Sequence, residues 1–409
     1  MYTLVFYVII SIVVFDFVLD RWLDYLNAKN RKSRLPLELQ GIYDEEKYQK
    51  SVAYDKENNK FALIASSLNF LLILCMLFLA GFAFVDQLAG EFTINSIYKA
   101  LVFFLILGLA TDFIHLPFSI YDTFVIEEKF GFNKTTPKTF ILDKLKGWLL
   151  SLILGGGIGF VILWFYYKTT NLFWIYAWVL SSFVMIFLAM FYSNIIVPIF
   201  NKQEPLEEGE LKDAIAKFAQ KVGFKLDNIY RIDGSKRTSK ANAYFTGLGA
   251  KKRIVLYDTL INELTTNEIV AVLAHEIGHY KRKHTIQGII LSVIQTGITF
   301  YLLSLFLTIP ELSYALGVSQ PSFHIGIIAF GILYSPISLF VGLGLNILSR
   351  KNEYEADAFT KTNFNAEHLI SALKKLSINN LSNLTPHPIY VFFHYSHPTL
   401  LERIGALRK

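Results

Sequence analysis

A single cysteine, Cys75, stands among 409 residues, so no internal disulfide can form and a thiolate metal site would lack its other ligands. The redox compartment is left unconstrained. Charge is scarce as well. Only 18% of residues are Asp, Glu, Lys or Arg, against about 25% in soluble domains, too few to cover a water-facing surface. No basic tract interleaves with aromatics outside the apolar segments, which argues against a nucleic-acid partner. The net charge of +6 reads instead as loop charge beside anionic lipid. Repeats and low-complexity segments are missing. A basic leader and a small-residue cleavage site are missing too, so Tyr2 to Leu19 reads as a retained span and not as a signal peptide.

Apolar and aromatic residues fill the gap. Hydrophobic residues make up 53% of the chain, with 36 Phe, 22 Tyr and 5 Trp, and the mean hydropathy is +0.40. Such a composition suits a lipid-facing surface with aromatic anchors. A membrane span needs about 20 mostly apolar residues. Seven segments meet this, near 2–19, 61–84, 98–118, 148–167, 172–199, 285–307 and 325–348. Arg21, Lys29, Arg31, Lys32 and Arg34 follow the first, and Lys129, Lys134, Lys138, Lys144 and Lys146 follow the third. On the other side, 85–97 carries Asp86 and Glu91, and 308–324 carries Glu311, with no basic residue in either. Seven spans put every basic loop on one side, so span count and charge asymmetry agree. The expected organisation is a five-span region over 1–199, a first protease segment over 200–284, a membrane hairpin over 285–348 and a second protease segment over 349–409. The N-terminus is expected outside and both protease segments inside.

Those two polar segments read as one α+β domain split by the hairpin. Leu211, Ile215, Phe218 and Val222 recur at helical spacing within 207–222. Asn228 to Asp233, Ala243 to Thr246 and Arg253 to Tyr257 read as strands, the last two joined across Gly247-Leu248-Gly249. Thr265-Thr266-Asn267-Glu268 has the capping-box form before an apolar run, so a helix is expected from Thr266 through His279 toward the sixth span.

That helix carries His275-Glu276-Ile277-Gly278-His279. Positions four apart share a helix face, so His275 and His279 can offer imidazoles to one tetrahedral Zn²⁺. Glu276 lies about 100° round the helix, beside the metal, where a general base must stand. Gly278 is expected to leave space near the ion. A catalytic zinc of this kind needs a third protein ligand. The hairpin returns the chain to the same membrane face at Ser349, and there Glu353 and Asp357 lie four apart. Glu353 is then the ligand and Asp357 an acceptor for a ligand imidazole N–H. Glu355 is expected to point to the other side of its helix.

These motifs, with Phe124 to Asn133 after the third span, Gly234 to Thr238, Asn242 to Phe245 and His394-Tyr395-Ser396-His397-Pro398, resemble the type I CaaX prenyl endopeptidases. Those are seven-span, membrane-embedded zinc metalloproteases, and the resemblance covers most of the chain. It implies one zinc held by His275, His279 and Glu353, Glu276 as base, and Asp357 beside the ligands. It further implies that Asn242, Ala243, Tyr244 and Phe245 hold substrate backbone, and that His397 sits beside the scissile carbonyl. The implied partner is a peptide or protein substrate, lipidated in CaaX processing, within membrane lipid of the endoplasmic reticulum or a bacterial inner membrane. The protease domain would face the cytoplasm.

Other residues fit structural roles better. His284 reads as a cap where the zinc-motif helix meets the membrane, with Lys281, Arg282 and Lys283 as phosphate-level anchors. Glu127 and Glu128 read as loop packing. Polar stripes occur on three spans: Ser292, Gln295, Thr296 and Thr299; Asp112, His115, Ser119 and Asp122; Ser335, Ser338 and Asn346. Interhelical hydrogen bonds would explain them. The resemblance, whose members enclose a large chamber, favours a water-filled interior. A transporter would use such stripes but give the His-His-Glu set no purpose, and an intramembrane protease would place the motif mid-span.

Overall fold

The structure is a computed structural model and describes residues 4–32, 35, 44–224, 229–246 and 253–409. Tyr2, Thr3, Arg34, Asn228 and the Gly247 to Gly249 connection, all used in the sequence reading, lie outside the described residues.

Among the described residues, six helical stretches are long and apolar enough to cross a membrane: Glu45–Phe78, Ser96–Glu127, Pro137–Thr169, Phe173–Phe200, His284–Phe306 and Phe323–Asn363. Helix Leu4–Asn30 forms as expected but does not join them, because Asp16, Asp20 and Arg21 interrupt its apolar run. Two boundaries are corrected. The second expected span ends at Phe78, and a separate helix, Gly81–Phe92, covers most of what was read as a polar loop. Ala80 takes the left-handed conformation at the break (φ 53°). Within that short helix Asp86 is buried, pairing with Lys99 at 2.8 Å and with His324 at 2.6 Å. His324 is thus a buried partner of Asp86.

The second correction concerns the zinc motif. Helix Thr266–Lys281 starts with the expected capping box at Thr265 and Glu268. It does not run on into the next span. Lys283 is left-handed (φ 61°), and the chain restarts as helix His284–Phe306 in a new direction.

Among the described residues, four strands form one sheet: β1 Gln203–Pro205, β2 Ile229–Ile232, β3 Ala243–Thr246 and β4 Arg253–Tyr257. Their order is β1-β2-β4-β3, with β2 and β4 parallel and the outer pairs antiparallel. Alternation along β4 explains the layering. Ile254 and Leu256 pack with Leu273 and Ile277 of the zinc-motif helix. Val255 points to the opposite face and packs with Val197, at the end of a span. Each such burial contributes about 1.5–3 kcal/mol, so the sheet is fastened to the zinc helix on one side and to the membrane bundle on the other. β3 is left at the edge.

The chain entering β3 is held from the membrane side. Residues 237–240 bond to the segment that follows the span ending at Glu127: Lys134 N donates to Arg237 O, and Ser239 N donates to Phe132 O, both at 3.0 Å. Lys240 Nζ lies 2.8 Å from Glu127 Oε2 and 4.4 Å from the Phe132 ring centroid. Loop packing is therefore what Glu127 does.

Several polar residues of the spans join helices together. Asp112 accepts from Lys144 Nζ and Trp148 Nε1, both at 2.8 Å. Thr299 pairs with Tyr334 at 3.0 Å, Asn346 donates to Phe393 O at 2.8 Å, and Ser335 donates to Asp16. For these four, interhelical bonding is the observed role.

Candidate metal centre

Two helices cross to make the site. Gly278 of the zinc-motif helix is buried against helix Phe323–Asn363, and a Cβ there would meet Ala356 Cα and Phe359 Cβ at 3.1 Å. The glycine does not open space beside an ion, as the sequence reading had it. It lets the two backbones approach until the turn holding Glu353, Ala356 and Asp357 lies against the histidines.

At that crossing, His275 Nε2 and His279 Nε2 are 3.1 Å apart. Glu353 Oε2 is 3.3 Å from the first and Oε1 is 3.2 Å from the second. One donor atom from each of the three residues lies within 4.8 Å of the other two, close enough for one ion to touch all three. Glu353 is buried and its Oε2 has no hydrogen-bond partner, as expected of a carboxylate oxygen kept for a cation. The donor set and its spacing fit zinc.

The surrounding groups fix the donors. Asp357 Oδ1 accepts from His275 Nδ1 at 2.9 Å. Arg403 Nη2 lies 3.3 Å from the same nitrogen, but both are donors, so Asp357 is the partner. Arg403 grips Asp357 through two bonds of 2.6 and 2.9 Å and lies 3.5 Å from Glu353. Nothing local in the sequence signals Arg403. It arrives from helix Leu400–Arg408, whose capping box at Thr399 and Glu402 was the available sign of a helix start. Burial would lower the His275 pKa, but hydrogen bonds with Asp357 and Glu353 outweigh it and raise it to about 9.

His397 Nδ1 lies 3.0 Å from Glu353 Oε1, with its side chain 63% exposed. Glu276 is half-buried and faces a cleft of about 350 Å³, lined also by Phe245 of β3, His279, His284, Gly288 and Leu291. Asn242 is exposed at the start of β3 and accepts from Ala243 N at 2.8 Å.

A family model described as peptidase family M48 matches residues 205–409, the part containing the whole cluster. The chain belongs to peptidase family M48. A second model, the five-membrane-helix N-terminal region of CAAX prenyl protease, matches residues 24–202 of this M48 chain. It is 36% identical to CAAX prenyl protease 1 of Saccharomyces cerevisiae, over 97% of this chain and 93% of the relative. It is 32% identical to the Homo sapiens homologue over 97% and 94%. Its fold matches the crystal structure of S. mikatae Ste24p with a TM-score of 0.95, at 34% identity, over all of both chains. This M48 protein is a multi-pass membrane zinc metalloendopeptidase.

Proposed function

We propose that this chain hydrolyses peptide bonds near the C-terminus of prenylated proteins, on the cytoplasmic face of a seven-span membrane domain. The observation that carries the reading is the meeting of a three-donor metal centre, a sheet edge left unpaired among the described residues and a membrane-level cleft. Apolar Leu291, Leu345 and Leu348 line that cleft along with Glu276, which suits a substrate whose end carries a lipid. The relatives are CAAX prenyl proteases, which supports the same substrate class.

His275, His279 and Glu353 would hold zinc, which when bound would supply a Lewis acid for the scissile carbonyl and for water. Glu276 takes the proton of the attacking water and passes it to the leaving amine. Asp357, pinned by Arg403, fixes the His275 ring. Extended substrate pairs with β3 by main-chain hydrogen bonds from Ala243, Tyr244 and Phe245, with Asn242 setting its register. His397 donates to the carbonyl oxygen as negative charge develops there. Its Nδ1 faces the acceptor Glu353 Oε1, so donation from Nε2 as well uses the imidazolium form, in which both ring nitrogens carry hydrogen.

The site is read as interfacial and not mid-membrane. Glu353 comes 30 residues after Phe323 along one continuous helix, about 45 Å at 1.5 Å per residue. That exceeds a hydrocarbon core of about 30 Å. The seventh span is helix Leu4–Asn30, whose Asp16 is covered by Ser335 of a neighbouring span.

Purified chain, given one peptide with and without an isoprenyl group on its cysteine, should hydrolyse the lipidated form with the higher kcat/KM. Equal values would remove the prenyl assignment and leave a zinc endopeptidase of broader specificity.

A further inference from the structure

The break at Lys283 has a chemical consequence. By turning the chain out of the zinc-motif helix, it sets His284, the first residue of the next helix, beside His279. The two Nδ1 atoms are 3.0 Å apart and the rings meet edge to face, with centroids 5.1 Å apart at 72°. His284 is buried, and its Nε2 lies 3.2 Å from Glu355 Oε2. Glu355 was expected on the far side of its helix from the metal. It is on a different side from Glu353, and that side meets the start of helix His284–Phe306.

The proton positions in this chain of contacts follow from donor and acceptor rules alone. His279 Nε2 faces Glu353 and His275, so to ligate a metal it must present its lone pair. The ring proton is then on Nδ1, which donates to His284 Nδ1. Because His284 accepts at Nδ1, its own proton is on Nε2, which donates to the Glu355 carboxylate. Every donor meets one acceptor.

We propose that His284 and Glu355 are positioning residues for zinc, with His284 carrying the orienting effect of Glu355 to the His279 ring. Metal-ligating imidazoles ordinarily donate their second nitrogen to a carboxylate or carbonyl. His275 does so directly, to Asp357. His279 does so through His284, and both ligand rings end on a carboxylate. No proton leaves the relay and no bond breaks. The competing role for Glu355 is a surface pair with Lys351 Nζ, 4.0 Å away, whose own side chain is 72% exposed.

The inference rests on the zinc-peptidase reading, and its test is release of zinc from purified full-length chain to a chelator, not turnover. His284→Ala should release zinc about 10- to 100-fold faster than the unaltered chain. Glu355→Ala should act in the same direction by a smaller factor, with Glu355→Gln between it and the unaltered chain. Since Glu355 acts only through His284, adding Glu355→Ala to His284→Ala should change the rate no further. Lys351→Ala should have no effect. Unfolding temperatures of the metal-free forms check that the variants fold, and the half-buried Glu355 carries the test if His284→Ala does not. Unchanged release from a folded His284→Ala, or from Glu355→Ala, overturns the relay, and so do independent, multiplying effects in the double variant. An unaltered chain that holds no zinc would contradict the zinc-peptidase reading itself.

Discussion

His397 illustrates how a residue's role is divided between neighbours. Its Nδ1 contacts Glu353 while most of its side chain stays exposed, as an oxyanion donor requires. The alternative, that it caps the C-terminal helix, loses ground because Thr399 and Glu402 form that cap between themselves. Loss of one such donor commonly costs about 3 kcal/mol, two to three decades in kcat. His397→Ala should therefore lower kcat by that amount with KM and zinc content nearly unchanged. A variant that keeps kcat and only melts earlier would return His397 to a structural role. Single residues were legible in the sequence where one helix encodes their geometry, as with His275, Glu276 and His279. Arg403, His284 and Glu355 were not, because their partners come from other elements and leave no local period.

Between elements, the decisive contact is the crossing at Gly278. The capping box places the start of the zinc-motif helix, and Gly278 sets how closely it approaches helix Phe323–Asn363. A methyl group here would press on Ala356 backbone, which cannot move aside as a flexible side chain would. Gly278→Ala should cost about 1–3 kcal/mol by overpacking. It should also lower zinc retention, because separating the helices draws Glu353 away from both histidines. Zinc content measured alongside thermal unfolding checks this, and full zinc retention would mean that the crossing tolerates the methyl group. The sequence reading placed β3 and β4 at their observed bounds, since alternation and flanking turns mark them. It missed the three-residue β1, which is too short to show a period. It also carried the zinc-motif helix into the membrane, because hydropathy does not register a change of direction at Lys283.

At the scale of the whole molecule, charge asymmetry and long apolar runs were enough to read a membrane bundle joined to an α+β domain. Span count was harder. Asp16, Asp20 and Arg21 give helix Leu4–Asn30 a mixed character that composition cannot resolve, and Asp16 acquires its partner Ser335 only in the folded bundle. Topology decides the matter. In a background where Cys75 is replaced by Ser, Gln320→Cys should react with an impermeant reagent from outside sealed membranes. Glu207→Cys should react only after permeabilisation. Labelling of both from one side would contradict the seven-span arrangement. The central claim, that a zinc site and a neighbouring general base together hydrolyse peptides, is tested most directly on Glu276→Gln. Its zinc content and its hydrolysis of a peptide substrate should be measured on the same preparation. About one zinc per chain with hydrolysis abolished is the predicted result. Retained hydrolysis, or loss of the metal along with the activity, would contradict the assignment of Glu276 as the base.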